Sequence, residues 1–240
     1  MRIETHSLLD GAKRAEGIAV VIDVFRAFST ACYAADRGAS RIIPVAELER
    51  ARALKVSNPQ YLLVGERRGV PPPDFDYGNS PTQIKEANLE RRTVVHTTSA
   101  GTKGLVAAEN SAAEEVITGS FVNAAAVIKY LKRKKASTVS LIPMGEGGKS
   151  PAKEDQLCAQ YIERGLREER VPGQEEIKSA LKGAGNRFFD PSTDPAQPES
   201  DFHLCLEVNK FDFSLRARER EGKIVLNRFE LSGGTTPSTE

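Results

Sequence analysis

Val20-Val21-Ile22-Asp23-Val24-Phe25-Arg26-Ala27-Phe28-Ser29-Thr30 is the stretch that decides the fold class. An apolar run ends in a carboxylate, and one turn later a guanidinium and two hydroxyls stand where a helix begins. An Asp at the carboxyl end of a strand can ligate Mg²⁺, which takes oxygen donors. The free N–H groups of the following helix, together with Arg26, can grip a phosphate. The bland alternative is an Asp23 that caps the helix and does nothing else.

The same strand-then-helix alternation continues outward. Apolar runs suited to buried strands are Gly17–Ile22, Arg41–Val45, Tyr61–Val64, Thr93–His96, Glu115–Thr118 and Thr138–Ile142. Helical spacing marks Ala27–Asp36, Ala46–Val56, Pro81–Asn88, Thr102–Ala108, Phe121–Arg133 and Lys153–Glu169. Such alternation predicts an α/β fold with a mostly parallel central sheet and helices on both faces. Ser80-Pro81-Thr82-Gln83 carries a capping-box signature, with Pro at the first helical position. Beyond Arg170 the pattern changes. Residues 186–201 read as a long polar loop. Phe202–Val208 and Lys223–Phe229 follow as two strands, or as a helix and a strand. The tail Ser232–Glu240 has almost no apolar side chains and is expected to be disordered. The organisation expected is a single domain over 1–231 with a C-terminal extension from about residue 170.

Composition narrows the class. The 240 residues carry 34 basic and 33 acidic side chains, a formal net charge of +1. No global charge drives the chain toward nucleic acid or an anionic membrane. The cluster Lys132-Arg133-Lys134-Lys135 closes a helix, where cations suit the negative end of the dipole. Cys32, Cys158 and Cys205 form no CxxC pair and no even disulfide framework, as in a reduced cytoplasm. No secretory h-region opens the sequence and no apolar run reaches the length of a membrane span. A soluble cytoplasmic protein is expected, with homo-oligomerisation left open.

In open α/β sheets ligands bind outside the carboxyl ends of the strands, so the residues after each strand matter most. The first strand is followed by Asp23, Arg26, Ser29 and Thr30. The third leads to Glu66-Arg67 and then Asn79-Ser80, and the fourth to Thr98-Ser99 and Gly101-Thr102. Ser120 and Asn123 follow the fifth. Gly145-Glu146-Gly147-Gly148-Lys149, then Glu154-Asp155, follow the sixth. In any single loop hydroxyls and glycines are ordinary turn residues, but five loops gathered at one end of a sheet favour a site. These groups suit phosphoryl transfer. Asp23, Glu66 and Asp155 could hold Mg²⁺, Arg26 and Arg67 could neutralise phosphate oxygens, and the Ser/Thr/Gly loops offer N–H and O–H donors.

Other chemistries fit poorly. His6, His96 and His203 show no paired metal-ligand spacing, and His96 lies within a strand. No G-x-S-x-G elbow is present. Pro143-Met144-Gly145-Glu146-Gly147-Gly148-Lys149-Ser150 misses the first glycine of a P-loop. The D-x-D of haloacid-dehalogenase-type phosphatases is broken by Phe25.

Taken together, VIDVFRAFSTACYAADRGASRIIPV, GERRG, FDYGNSP, TTSAGTKGL, GSFVNAAAV and EDQLCAQYI resemble the 2-phosphosulfolactate phosphatases. These are Mg²⁺-dependent enzymes that hydrolyse a phosphate ester of 3-sulfolactate, an intermediate of coenzyme M biosynthesis. The resemblance runs from about Ile18 to Ile162 and implies a three-layer α/β/α fold with a site built from these loops. The family pattern D-V-L-R-A-T-S-T carries an aliphatic residue and a Thr where this chain has Phe25 and Phe28.

The resulting assignment is a small-molecule phosphoester phosphatase. Asp23, Glu66 and Asp155 are its metal ligands, and Asp23, Arg26 and Ser29 its catalytic candidates. The anion-binding set is Arg26, Thr30, Arg67, Asn79, Thr98, Ser99, Gly101, Thr102, Ser120 and Asn123. The nucleophile is open between a metal-bound water, Asp23 and a hydroxyl such as Ser29. The alternative is a non-catalytic anion-binding or regulatory module, suggested by the hydroxyl that Phe28 replaces.

Overall fold

The computed structural model describes residues 1–193 and 195–230. The chain runs β1 (Arg2–Thr5), α1 (Leu8–Ala12), β2 (Glu16–Ile22), α2 (Ala27–Asp36), β3 (Arg41–Pro44), α3 (Leu48–Ser57), β4 (Leu62–Gly65) and α4 (Pro81–Glu86). It continues with β5 (Thr93–Thr97), α5 (Gly101–Glu109), β6 (Ala112–Gly119), α6 (Ala124–Lys134), β7 (Thr138–Pro143) and α7 (Lys153–Leu166). The extension supplies α8 (Gln174–Leu181), α9 (Glu199–Cys205), β8 (Phe213–Arg220) and β9 (Lys223–Glu230).

All nine strands join one sheet in the order β1-β7-β2-β6-β8-β9-β3-β5-β4. The block β1-β7-β2-β6 is parallel throughout, as is the block β3-β5-β4. The antiparallel hairpin β8–β9 lies between them. It meets each block through a single registered pair, Ile117 with Arg216 and Ile42 with Leu226. Carboxyl ends from both blocks nonetheless meet at one cavity, described below. The hairpin was legible only in part. Lys223–Phe229 is a strand and Phe202–Val208 begins within α9, the helix-and-strand alternative, while β8 lies in a stretch that the sequence left unassigned.

Period-two alternation along β2 shows why there are three layers. Ala19 and Val21 pack on one face with Phe28 of α2 and Leu105 of α5. Ile18, Val20 and Ile22 pack on the other with Val127 and Leu131 of α6 and Ile162 of α7. In the second block Ile42 and Val94 join the first face, while Ile43 and Val95 turn to Leu54 of α3. Cys32, Cys158 and Cys205 are buried free thiols within these layers. No helix among the described residues is long and apolar enough to cross a membrane.

Helix ends follow the expected chemistry. Lys132, Arg133 and Lys134 occupy the last turn of α6, with Lys135 as its left-handed cap. At α4 the Gln83 N–H donates to Ser80 Oγ at 3.3 Å. The Gln83 side chain does not close the box on Ser80; it accepts from the Gly78 N–H at 2.8 Å, bracing the preceding turn instead. The stretch read as a loop over 186–201 contains 3-10 turns at Asn186–Phe189 and Pro191–Thr193 and the start of α9. Phe188 and Phe202 fold it inward, both nearly fully buried. The tail expected to be disordered, Ser232–Glu240, lies outside the described residues.

Candidate active site

A cavity of about 540 Å³ opens where the strands of both blocks end. That volume suits a small ligand. Asp23 enters it after β2, Glu66 after β4, Ser99 after β5, Gly145 after β7 and Asp155 from the first turn of α7.

Asp23 does both jobs that the sequence allowed. Its Oδ1 accepts from the Ala27 N–H at 3.0 Å, capping α2, and its carboxylate also faces the cavity. Burial pushes that carboxyl up to about 6; Glu66 and Glu154 add repulsion, and the N–H groups of Ala27 and Gly101 oppose the rise. Gly101 is glycine for a steric reason. A Cβ there would stand 2.7 Å from both Asp23 Oδ2 and the Ala27 methyl. Glu66 bridges two loops by accepting from the N–H groups of Gly69 and Ser99 at 2.7 Å each, and from Ser99 Oγ at 3.0 Å. Asp155 accepts from the Val24 and Gly145 N–H groups at 2.8 Å each, tying α7 to the ends of β2 and β7. Burial raises its carboxyl well above the usual range, with repulsion from Asp23 and Glu154 added. Glu154, also buried, is raised for the same first reason.

Asp23, Glu66, Glu146, Glu154 and Asp155 thus share one cavity, and burial, with mutual repulsion added, raises the carboxyls of Asp23, Glu154 and Asp155. A divalent cation bound there would favour their ionised forms. The donor set fits Mg²⁺, which needs only one or two carboxylates and keeps several waters. An ionised carboxylate has about four acceptor positions, so Glu66 with three N–H or O–H donors and Asp155 with two still have lone pairs left. Among the described residues, no group of three or more His, Cys, Asp or Glu side chains is arranged to hold a metal ion between them. A cation here would rest on one or two of these carboxylates and on water for its remaining ligands.

The remaining predicted residues divide sharply. Ser99, Asn79 and Arg26 line the cavity. Asn79 is held there by His96, whose Nε2 donates to its Oδ1 at 3.2 Å. Arg26 is only partly free: Nη1 donates to Asp201 Oδ2 at 2.6 Å and to the Ala196 carbonyl at 2.8 Å, and Nη2 reaches the Gly69 carbonyl at 3.4 Å. Arg67 turns elsewhere, donating to the carbonyls of Glu66 and Ala46 and to Thr97 Oγ1. Ser29 is fully buried, donating to the Val24 carbonyl at 2.8 Å and sharing a 2.7 Å hydrogen bond with Ser120 Oγ. Thr98 and Thr102 cap each other's N–H groups at the start of α5. Ser120 donates its N–H to Asn123 Oδ1 at the head of the 3-10 turn before α6. Thr30 is buried on α2, its hydroxyl without a partner among the described residues. These hydroxyls shape the loops from behind. The peptide joining Phe25 to Arg26 is cis.

A profile of the 2-phosphosulpholactate phosphatase family matches residues 3–219. The chain belongs to that family. A relative from Thermoplasma volcanium, named "Probable 2-phosphosulfolactate phosphatase", is 30% identical over 222 residues, covering 91% of this chain and 97% of that protein. The Bacillus subtilis protein of the same name is 29% identical over 206 residues, covering 84% and 87%. A Thermotoga petrophila protein, again so named, is 38% identical over 146 residues, and the chain spans 61% of its length.

In this member of the 2-phosphosulpholactate phosphatase family, sequence reasoning named Glu154 without giving it a role and missed Arg68, Lys153, Arg187 and Gln197, which also line the cavity. It missed Asp201, the buried partner of Arg26, as well. One signal was available. Sixteen residues without structure are rare inside a compact fold, and Phe188-Phe189 and Phe202 within or beside 186–201 are too apolar for a solvated loop.

Proposed function

We propose that this chain is a Mg²⁺-dependent phosphatase in the cytoplasm that hydrolyses a small acidic phosphoester, (R)-2-phospho-3-sulfolactate, to 3-sulfolactate and phosphate. The observation that carries the reading is the convergence of Asp23, Glu66, Glu154 and Asp155 on one cavity of a chain from this family. Asp23 would hold the cation with Glu66 and Asp155 beside it, Glu154 adding charge. Bound there, Mg²⁺ supplies Lewis-acid stabilisation of the phosphoryl oxygens.

The chain's own groups do the rest. Helices α2, α5 and α7 all begin at the cavity, at Asp23–Ala27, Ser99–Gly101 and Lys153–Asp155. Three positive helix ends favour a phosphate over neutral ligands. Asn79 and Ser99 are placed to orient a polar ligand, Asn79 fixed by His96 and Ser99 by Glu66. Ser29 is sealed behind Val24 and Ser120, which favours water or Asp23 as the attacking group over a seryl hydroxyl. The non-catalytic reading rested on Phe28, whose ring lies in the core rather than the cavity.

The test is phosphate release from 2-phosphosulfolactate by the full chain, with Mg²⁺ and with a chelator. The expected result is Mg²⁺-dependent turnover. No turnover of this or any of a panel of acidic phosphoesters would overturn the reading.

A further inference from the structure

Arg187 is carried into the cavity by the extension, on the 3-10 turn Asn186–Phe189. Its guanidinium lies over two rings, 5.0 Å from the Phe188 centroid and 5.8 Å from that of Phe25. Nη2 donates to the Phe25 carbonyl at 3.2 Å and stands 3.9 Å from Glu154 Oε1. With five N–H donors in all, most of the fork is left for a ligand, and about a third of the side chain is exposed. Phe188 packs edge-on against Phe25 with centroids 5.0 Å apart, so the two rings form one platform.

Two further cations share the cavity wall. Neither the guanidinium of Arg68 nor the ammonium of Lys153 has an ion pair or hydrogen bond among the described residues. The left-handed backbone of Arg68, with φ 54°, holds the loop after β4 against Ser99, whose Oγ accepts the Arg68 N–H at 3.2 Å. Glu154 stands 3.9 Å from Arg187 and repels Asp23, so the cationic wall borders the carboxylate cluster within one cavity. A small molecule with two acid groups can face both sides of that cavity at once.

We propose that Arg187, backed by Arg68 and Lys153, is a subsite for the second acid group of the substrate, a carboxylate or sulfonate. It thereby selects phosphoesters that carry a further acid group over those that carry none. The proposal rests on the phosphatase reading for its substrate, but binding can test it alone. A planar fork grips such a group through parallel charge-assisted hydrogen bonds, while the phosphoryl end lies toward Asp23.

The experiment compares kcat/KM for 2-phosphosulfolactate and for isopropyl phosphate, which lacks both further acid groups, in the wild type, Arg187→Met and Arg187→Lys. The expected result is that Arg187→Met lowers the ratio of the two values by about 10- to 100-fold, the worth of a charged hydrogen bond. Arg187→Lys should fall between. Met keeps the apolar stem on the rings, and a melting curve checks the fold. An equal loss on both substrates, or no loss, overturns the proposal. If the wild type turns over neither, the phosphatase reading fails and the subsite is read from 3-sulfolactate added to resting protein. A melting shift in the wild type that Arg187→Met abolishes then supports the subsite. No shift, or the same shift in both, overturns it.

Discussion

Arg26 Nη1 and Asp201 Oδ2 lie 2.6 Å apart with both side chains sealed from water, 3% and 0% exposed. The other Asp201 oxygen accepts from Ser80 Oγ, the Thr82 N–H and Thr82 Oγ1, so a single carboxylate joins α2, α4 and α9. Arg26 is therefore a structural tie for the extension as well as a wall of the cavity. Removing one partner of a buried pair strands the other charge, at a cost of roughly 3–5 kcal/mol. Arg26→Ala and Asp201→Ala should each lose about that much stability in urea unfolding. The double variant should lose clearly less than the sum. Additive losses would mean that the pair is not energetically linked.

The part of this site built on βα loops was legible because Asp23, Glu66 and Asp155 each follow a strand that reads as a strand. What the sequence hid lies in the extension. Asp201 sits on a short helix preceded by polar residues, and its burial is set by Arg26, 175 positions away. The roles of hydroxyls were equally hidden. Ser120 and Thr98 look the same in sequence whether they face a ligand or cap the helix behind it, and only packing assigns them. Hairpin β8–β9 was obscured because its strands bind both blocks antiparallel, against the alternation that marks the rest of the fold.

Phe28 is fully buried on α2 within the core that includes Val21 and Leu105. Phe28→Thr would remove a ring from that core, and large-to-small changes of this kind cost about 3–5 kcal/mol. The expected outcome is a lowered melting temperature with unchanged kinetics on 2-phosphosulfolactate at a temperature where the variant is folded. Faster turnover without destabilisation would instead put the ring in the substrate's path.

Asp23 separates metal binding from folding. With its carboxyl raised to about 6 from 3.8, the folded state holds a proton that the unfolded state has released between those two values. In chelator-treated protein that contribution to stability is fully present at low pH and is lost as pH rises through about 6. Asp23→Asn keeps an oxygen for the Ala27 N–H and carries no charge. At pH 8 without metal it should melt at or above the wild-type temperature, lack the Mg²⁺-induced stabilisation of the wild type, and lose Mg²⁺-dependent turnover. A variant that kept the full Mg²⁺ shift would remove Asp23 from the metal site.

His96 gives the opposite slope. Burial pushes its imidazole down to about 4 from 6.5, its Nδ1 is unpartnered, and its Nε2–H holds Asn79. The unfolded chain takes up a proton below 6.5 that the folded chain refuses until about 4. Stability from this group is therefore complete above 6.5 and declines as pH falls to 4, by about 3 kcal/mol in all. Asp23 works against it over part of the same range, so the wild-type profile alone does not isolate either group. His96→Gln does, since an amide reaches Asn79 without titrating. Urea unfolding of both proteins at a series of pH values should show their stability difference shifting toward the variant between pH 6.5 and 4 and levelling below. A difference that stays constant across that window would mean that His96 is protonated in the folded protein.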